Sequence, residues 1–223
     1  MANFRTHFGV AGIGGVLVGQ AGWHASLWNG WQALAVAAMV AFGGILPDID
    51  ADHSHAIRLI FHLLAIVAVV LAVLVLQQRV TPAMLFAACG AIYLAMRYLA
   101  GAIFARFTVH RGLWHSLLAA AISGLCTAAV SFSLLGQPER LAWLHGLSLT
   151  LGFLIHLALD ELYSVDLTGA RLKRSFGTAL KPFDWNAPGS ALMLLLTSAH
   201  LLSWLPPLDA LRELLVQGLS LWP

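Results

Sequence analysis

The stretch "WQALAVAAMVAFGGILPDIDADHSH", Trp31 to His55, decides how the chain is organised. Its first sixteen residues, Trp31 to Leu46, are small and apolar, with Gln32 as the one interruption. Three aspartates and two histidines then arrive within eight residues, Asp48 to His55. An apolar segment that ends in metal-ligand side chains is the pattern of a membrane helix that delivers polar groups to one face of a bilayer.

The whole chain agrees with the membrane half of that reading. Of its residues 60% are hydrophobic and 10% charged, with a mean hydropathy of +0.83. Soluble domains run at roughly 45–50% apolar and about 25% charged, so the fold class expected is an all-α, polytopic membrane helix bundle. A net charge of +2 is too small to argue for a nucleic-acid partner; the partner implied is the lipid bilayer. Composition gives one membrane domain over residues 1–223. Cys89 and Cys126 lie in apolar runs without CxxC or Cys/His spacing, and read as small packed hydrophobes rather than a disulfide or a zinc-thiolate site.

Apolar segments fall at 9–28, 31–46, 59–76, 82–105, 113–135, 141–162 and 188–205. A span needs roughly 17–20 apolar residues, so the second is marginal, and the range expected is about five to seven transmembrane helices. Gly9 to Trp28 follows Arg5 but lacks the compact apolar core and cleavage site of a signal peptide, and reads as a retained first helix. Within it Gly15 and Gly19 form a GxxxG suited to close helix packing. The tail 206–223 places Leu208, Leu211, Leu214, Leu215 and Leu219 at helical spacing, the pattern of an amphipathic helix on the membrane surface.

If all seven segments cross, His7, Asp48–His55, Arg106–His115 and His156–Asp184 lie on one side, each separated from the next by two crossings. Arg5, Arg58, Arg97, Arg106, Arg111, Arg171, Lys173, Arg174 and Lys181 lie on or nearer that side, against Arg79, Arg140 and Arg212 on the other. The excess of basic residues makes the clustered face cytoplasmic.

Four clusters supply ligands: His7; Asp48, Asp50, Asp52, His53 and His55; His110 and His115; and His156, Asp160 and Glu161. His156 and Asp160, four apart, share one helical face, where one ion can take an imidazole nitrogen and a carboxylate oxygen. Asp-x-Asp-x-Asp also matches the opening of an EF-hand loop, but His53 stands at the turn-glycine position and Leu59 where the bidentate glutamate belongs, so an EF-hand is rejected. Pro47 suits the first turn of a helix; in a regular helix Asp50 would point away from Asp48 and Asp52, so two of the three converge more readily than all three. His110 and His115, five apart, do not share a helical face; Gly112 lets His110 approach from the loop while His115 sits in the first turn of the next helix. Arg111 is suited to hold a phosphate or carboxylate, or else to anchor a helix end at the interface. His24, His62, His145 and His200 lack carboxylate company and read as packing or hydrogen-bonding residues. His55 is the weakest ligand candidate in its cluster. Ionisable residues near membrane depth are costly, so their convergence implies a metal or a mutually hydrogen-bonded polar plug.

"TH" at Thr6–His7, "LPDID" at Leu46–Asp50, "HRGLWHS" at His110–Ser116 and "HLALDELYSVDLTGARLKRSFGTALK" at His156–Lys181 together resemble the YdjM-like family of bacterial inner-membrane proteins, described as membrane-bound metal-dependent hydrolases. A looser likeness in helical His/Asp usage points to zinc-dependent phospholipase C and related phosphoesterases. The family resemblance implies an inner-membrane location and carries to His7, Asp48, Asp50, His110, His115, His156 and Asp160 as metal ligands. It reaches "PDID" and not beyond, which leaves His53 and Asp52 on the residue reading alone.

The expected function is thus a metal-dependent hydrolase of the phosphoesterase or esterase type, with one or two divalent ions, zinc before manganese given the imidazoles. Glu161 or a spare aspartate such as Asp52 would act as general base and Arg111 would hold an anionic group. Arg171, Lys173, Arg174 and Lys181 would attract phospholipid headgroups. The alternative is a non-catalytic membrane protein with a structural metal site or a role in metal transport. Transport would place ionisable residues mid-span, whereas here they gather at segment ends.

Overall fold

In a bilayer an apolar chain satisfies its backbone polar groups only within its own helices or a closed barrel, and the long elements here are helices. The computed structural model describes residues 3–50, 55–103, 114–166, 171–172, 177–184 and 188–220. They form α1 (Phe4–His24), α2 (Gly30–Gly43), a 3-10 turn (Leu46–Asp50), α3 (His55–Leu76), α4 (Pro82–Leu94) continued by a π-helical stretch (Ala95–Ala100), α5 (Leu117–Ala129) continued by another (Val130–Leu134), α6 (Glu139–Leu162), α7 (Pro188–Leu201) and α8 (Leu208–Ser220). Two-residue strands, Val165–Asp166 and Arg171–Leu172, pair antiparallel.

Local sequence sets the helix starts. Asn3, Thr81 and Ser116 accept from the backbone N–H three residues on, and Pro82 follows Thr81 where a missing N–H costs nothing. Gln32, the one polar interruption in the apolar run, closes a capping box: Asn29 N–H donates to Gln32 Oε1 and Gln32 N–H to Asn29 Oδ1, each at 2.9 Å.

Among the described residues four helices are long and apolar enough to cross a membrane: Ile57–Leu76, Pro82–Ile103, Leu117–Leu134 and Glu139–Leu162. The pair Ala191–Trp204 and Leu208–Ser220, bent by 95°, makes five if taken as one span, the low end of the expected range. The segment expected at 31–46 is a helix of 14 residues, about 21 Å long against a hydrocarbon core of about 30 Å. The segment expected at 9–28 is long enough at 21 residues, but its glycines and polar ends dilute its apolar character.

The chain divides into two compact units, Met1–Pro47 with Leu113–Pro223, and Asp48–Gly112. The second is the hairpin of α3 and α4, in which His62 Nδ1 and the Tyr93 hydroxyl share a hydrogen bond of 2.8 Å. The first holds α1, α2 and α5 to α8. At one end of this unit the start of α1 meets the end of α6, with His7 3.2 Å from Asp160. At the other end, Arg140 at the start of α6 donates to the Leu27 carbonyl between α1 and α2 at 3.2 Å. There, too, Trp143 Nε1 donates to the Pro207 carbonyl at 2.9 Å, which holds the start of α8. Val36, Val40 and Leu144 form a buried hydrophobic cluster, with Leu214 of α8 packed against it.

Glycines let these helices touch backbone to backbone. A Cβ on Gly15 would stand 2.8 Å from the Ala37 carbonyl oxygen and one on Gly19 2.6 Å from that of Ala33, so the GxxxG seats α1 on α2. A leucine at Gly19 is expected to overpack this seam and cost about 1–3 kcal/mol, read as a lower thermal midpoint in detergent. Gly12→Ala, where a Cβ meets nothing within 4 Å, is expected to leave the midpoint unchanged or higher.

Candidate metal centre

Close approach of α2 and α6 builds the site. A Cβ on Gly43 would collide with the Leu149 carbonyl, and one on Gly152 with that of Val40, so only glycine permits this spacing. The contact delivers the Gly44 carbonyl to His156, whose Nδ1 lies 2.8 Å from that oxygen. A carbonyl only accepts, so Nδ1 carries the proton. In the neutral ring this leaves the Nε2 lone pair directed at its surroundings, and Nε2 is 3.9 Å from Asp160 Oδ2.

Around Asp160 stand three imidazoles. His7 Nε2 is 3.2 Å from Oδ1, and His115 Nε2 is 3.7 Å from Oδ2. The His7 and His156 rings stack at 3.7 Å with 13° between their planes, and His115 meets His156 edge-on at 5.6 Å. All four side chains are buried, none more than 2% exposed. They come from the first turn of α1, the lead-in to α5 and the last turns of α6, which is how His7 and His115, 153 and 45 positions before Asp160, come to meet it.

Donor chemistry tests whether a cation fits. The 3.7 and 3.9 Å separations are too long for direct hydrogen bonds. Two ligands of a tetrahedral zinc at about 2.0–2.1 Å from the metal lie about 3.3 Å apart, inside the range observed here. One ligand atom from each of His7, His156 and Asp160 lies within 4.8 Å of the others. His7 Nδ1 is buried with no hydrogen-bond partner among the described residues. A buried carboxylate facing an imidazole lone pair is the electrostatic arrangement that a cation stabilises. His7, His156 and Asp160, with His115 beside them, fit a divalent ion.

Asp48 and Asp50 belong to the 3-10 turn at the start of the second unit, and the side chain of Asp50 is outside the described residues. Asp52, His53, His110, Arg111, Lys173 and Arg174 lie outside them altogether, as does the side chain of Arg171. Lys181 pairs with Asp184 at 3.4 Å. The Glu161 carboxylate accepts the Gly177 N–H and, at 3.4 Å, that of Ala179. His115 was expected in the first turn of a helix. It precedes it instead, because Ser116 is the cap, with Oγ 3.2 Å from Ala119 N. Gly43, Gly44 and Gly152 were not foreseen; the glycine pair before "LPDID" was the available signal.

Fold and site thus define a polytopic helical membrane protein with a buried His/Asp cluster at one end of its larger unit. A family model described as YdjM inner membrane protein matches residues 1–205, and the chain belongs to that family. Searches of curated proteins and of solved structures return no match.

Gly152→Ala is expected to push α6 from α2, lengthen the His156–Gly44 bond and weaken divalent-ion binding about tenfold or more, measured by titration of the purified chain. Gly90→Ala, where a Cβ meets nothing within 4 Å, should leave binding unchanged.

Proposed function

We propose that this chain is a membrane-bound metal-dependent hydrolase, acting on a phosphoester or lipid-like ester at the cytoplasmic face of the inner membrane. The observation that carries the reading is the buried constellation of His7, His115 and His156 around Asp160. His7, His156 and Asp160 would hold the ion, with zinc favoured over manganese by the imidazoles. When bound, such an ion supplies Lewis-acid chemistry, activating water as a nucleophile and polarising the scissile ester.

The chain's own residues set that chemistry up. The Gly44 carbonyl fixes the His156 ring and its tautomer, as outer hydrogen bonds to ligand histidines do. His115, edge-on to His156, completes the polar wall. The bilayer supplies a lipid-like substrate at high local concentration, and basic residues at Arg171, Lys173, Arg174 and Lys181 would draw anionic headgroups, each worth on the order of 1 kcal/mol near an anionic leaflet. Arg111 would pair with the substrate's anionic group.

Full burial of the cluster favours a second reading, a closed structural ion site, since catalytic sites keep a position open for substrate. His156→Ala and Asp160→Ala are each expected to lose bound metal and ester hydrolysis together, followed by metal analysis and a panel of phosphoester and carboxylester substrates. Hydrolysis retained in both variants contradicts the enzyme reading; metal bound by the wild type without turnover of any ester supports the structural one.

A further inference from the structure

We infer that Glu161 is a positioning residue for His115, acting through the segment 177–182, and not the general base. The observations form a closed circuit. Glu161 is the neighbour of Asp160 near the end of α6, and its two carboxylate oxygens accept the backbone N–H groups of Gly177 and Ala179. Gly177 holds φ of +80°, a left-handed conformation that a side chain would strain, so the turn that presents its N–H is built for glycine.

A few residues on, the same segment reaches α5. Leu117 N–H donates to the Lys181 carbonyl at 2.9 Å and Leu118 N–H to the Pro182 carbonyl at 3.0 Å. These are the first amides of α5, which no carbonyl of that helix can satisfy. With Ser116 Oγ taking Ala119 N, the segment and the cap together secure the first three amides. His115 immediately precedes the cap, fully buried, 3.7 Å from Asp160. The path therefore runs from Glu161 through 177–182 to Leu117 and Leu118, then to His115 and back to Asp160 beside Glu161.

Two consequences separate this role from that of a base. A base needs its carboxylate free towards a water; here both oxygens are engaged by backbone donors, charge-assisted and thus stronger than neutral bonds. A base also leaves the start of α5 indifferent to its removal, whereas an anchor does not. Gln at position 161 keeps one acceptor oxygen for Gly177, so it should restore much of the anchoring and none of the basicity.

The test is hydrogen exchange and ion titration on the full-length chain in detergent, comparing wild type, Glu161→Ala, Glu161→Gln and His115→Ala. In Glu161→Ala the peptide covering Leu117 to Ala119 is expected to exchange faster while peptides of α1 and α2 do not change, and Glu161→Gln should lie closer to wild type. Zinc affinity is expected to fall about tenfold in Glu161→Ala, with no further fall in the double variant with His115→Ala beyond that of His115→Ala alone. Unchanged exchange at Leu117 to Ala119 overturns the inference, as does wild-type zinc affinity in Glu161→Ala accompanied by lost hydrolysis, the signature of a base. The zinc arm rests on the proposed ion site. The exchange arm does not, so a wild-type chain that binds no ion defeats the metal reading while exchange still decides the anchor.

Discussion

The buried hydrogen bond from His156 Nδ1 to the Gly44 carbonyl, 2.8 Å long, is the interaction on which the rest of the site depends. It exists because Gly43 and Gly152 have no Cβ, so α2 and α6 run close enough for a backbone oxygen at the end of one helix to reach a side chain of the other. It fixes the imidazole tautomer, and the tautomer decides what faces Asp160. Without it the ring could turn, and a carboxylate buried beside a loose imidazole would have to be satisfied by hydrogen bonds alone, at a desolvation cost that grows with burial.

Burial within the protein alters the balance of that arrangement. In water the charge of Asp160 would be screened and its neighbours indifferent to orientation. Inside a bundle it demands compensation, and the fold brings compensation from three separate helix ends. Helices α1 and α5 leave the site and α2 and α6 return to it, so the polar residues gather where chain directions change. That ordering puts the cluster at one end of the larger unit of a chain that belongs to an inner-membrane protein family.

Much of this was legible in the residues. The His156/Asp160 pair could be read because four-residue spacing on a helix dictates a shared face, and the GxxxG at Gly15 and Gly19 because small residues at that spacing permit close approach. Parity of crossings also put His7 and His115 with that pair, but only if all seven segments cross, and α2 with 14 residues is too short to cross alone. Their meeting in the structure rests instead on chain reversal within the larger unit. The start of α5 was placed too early, since Ser116 as a cap outweighs the apolar run that begins at Leu113. The role of Gly44 was not legible, because a backbone carbonyl carries no signature of which side chain it will meet. Nor was the engagement of Glu161, whose partners lie 16 and 18 residues on along a segment without periodicity.

X-ray absorption on zinc-loaded, purified chain tests the central claim most directly. A nitrogen and oxygen shell at about 2.0–2.1 Å, with the outer scattering of at least two imidazoles that disappears in His156→Ala, is the predicted result. Zinc lost on dialysis, or held only by water oxygens without imidazole scattering, would contradict it.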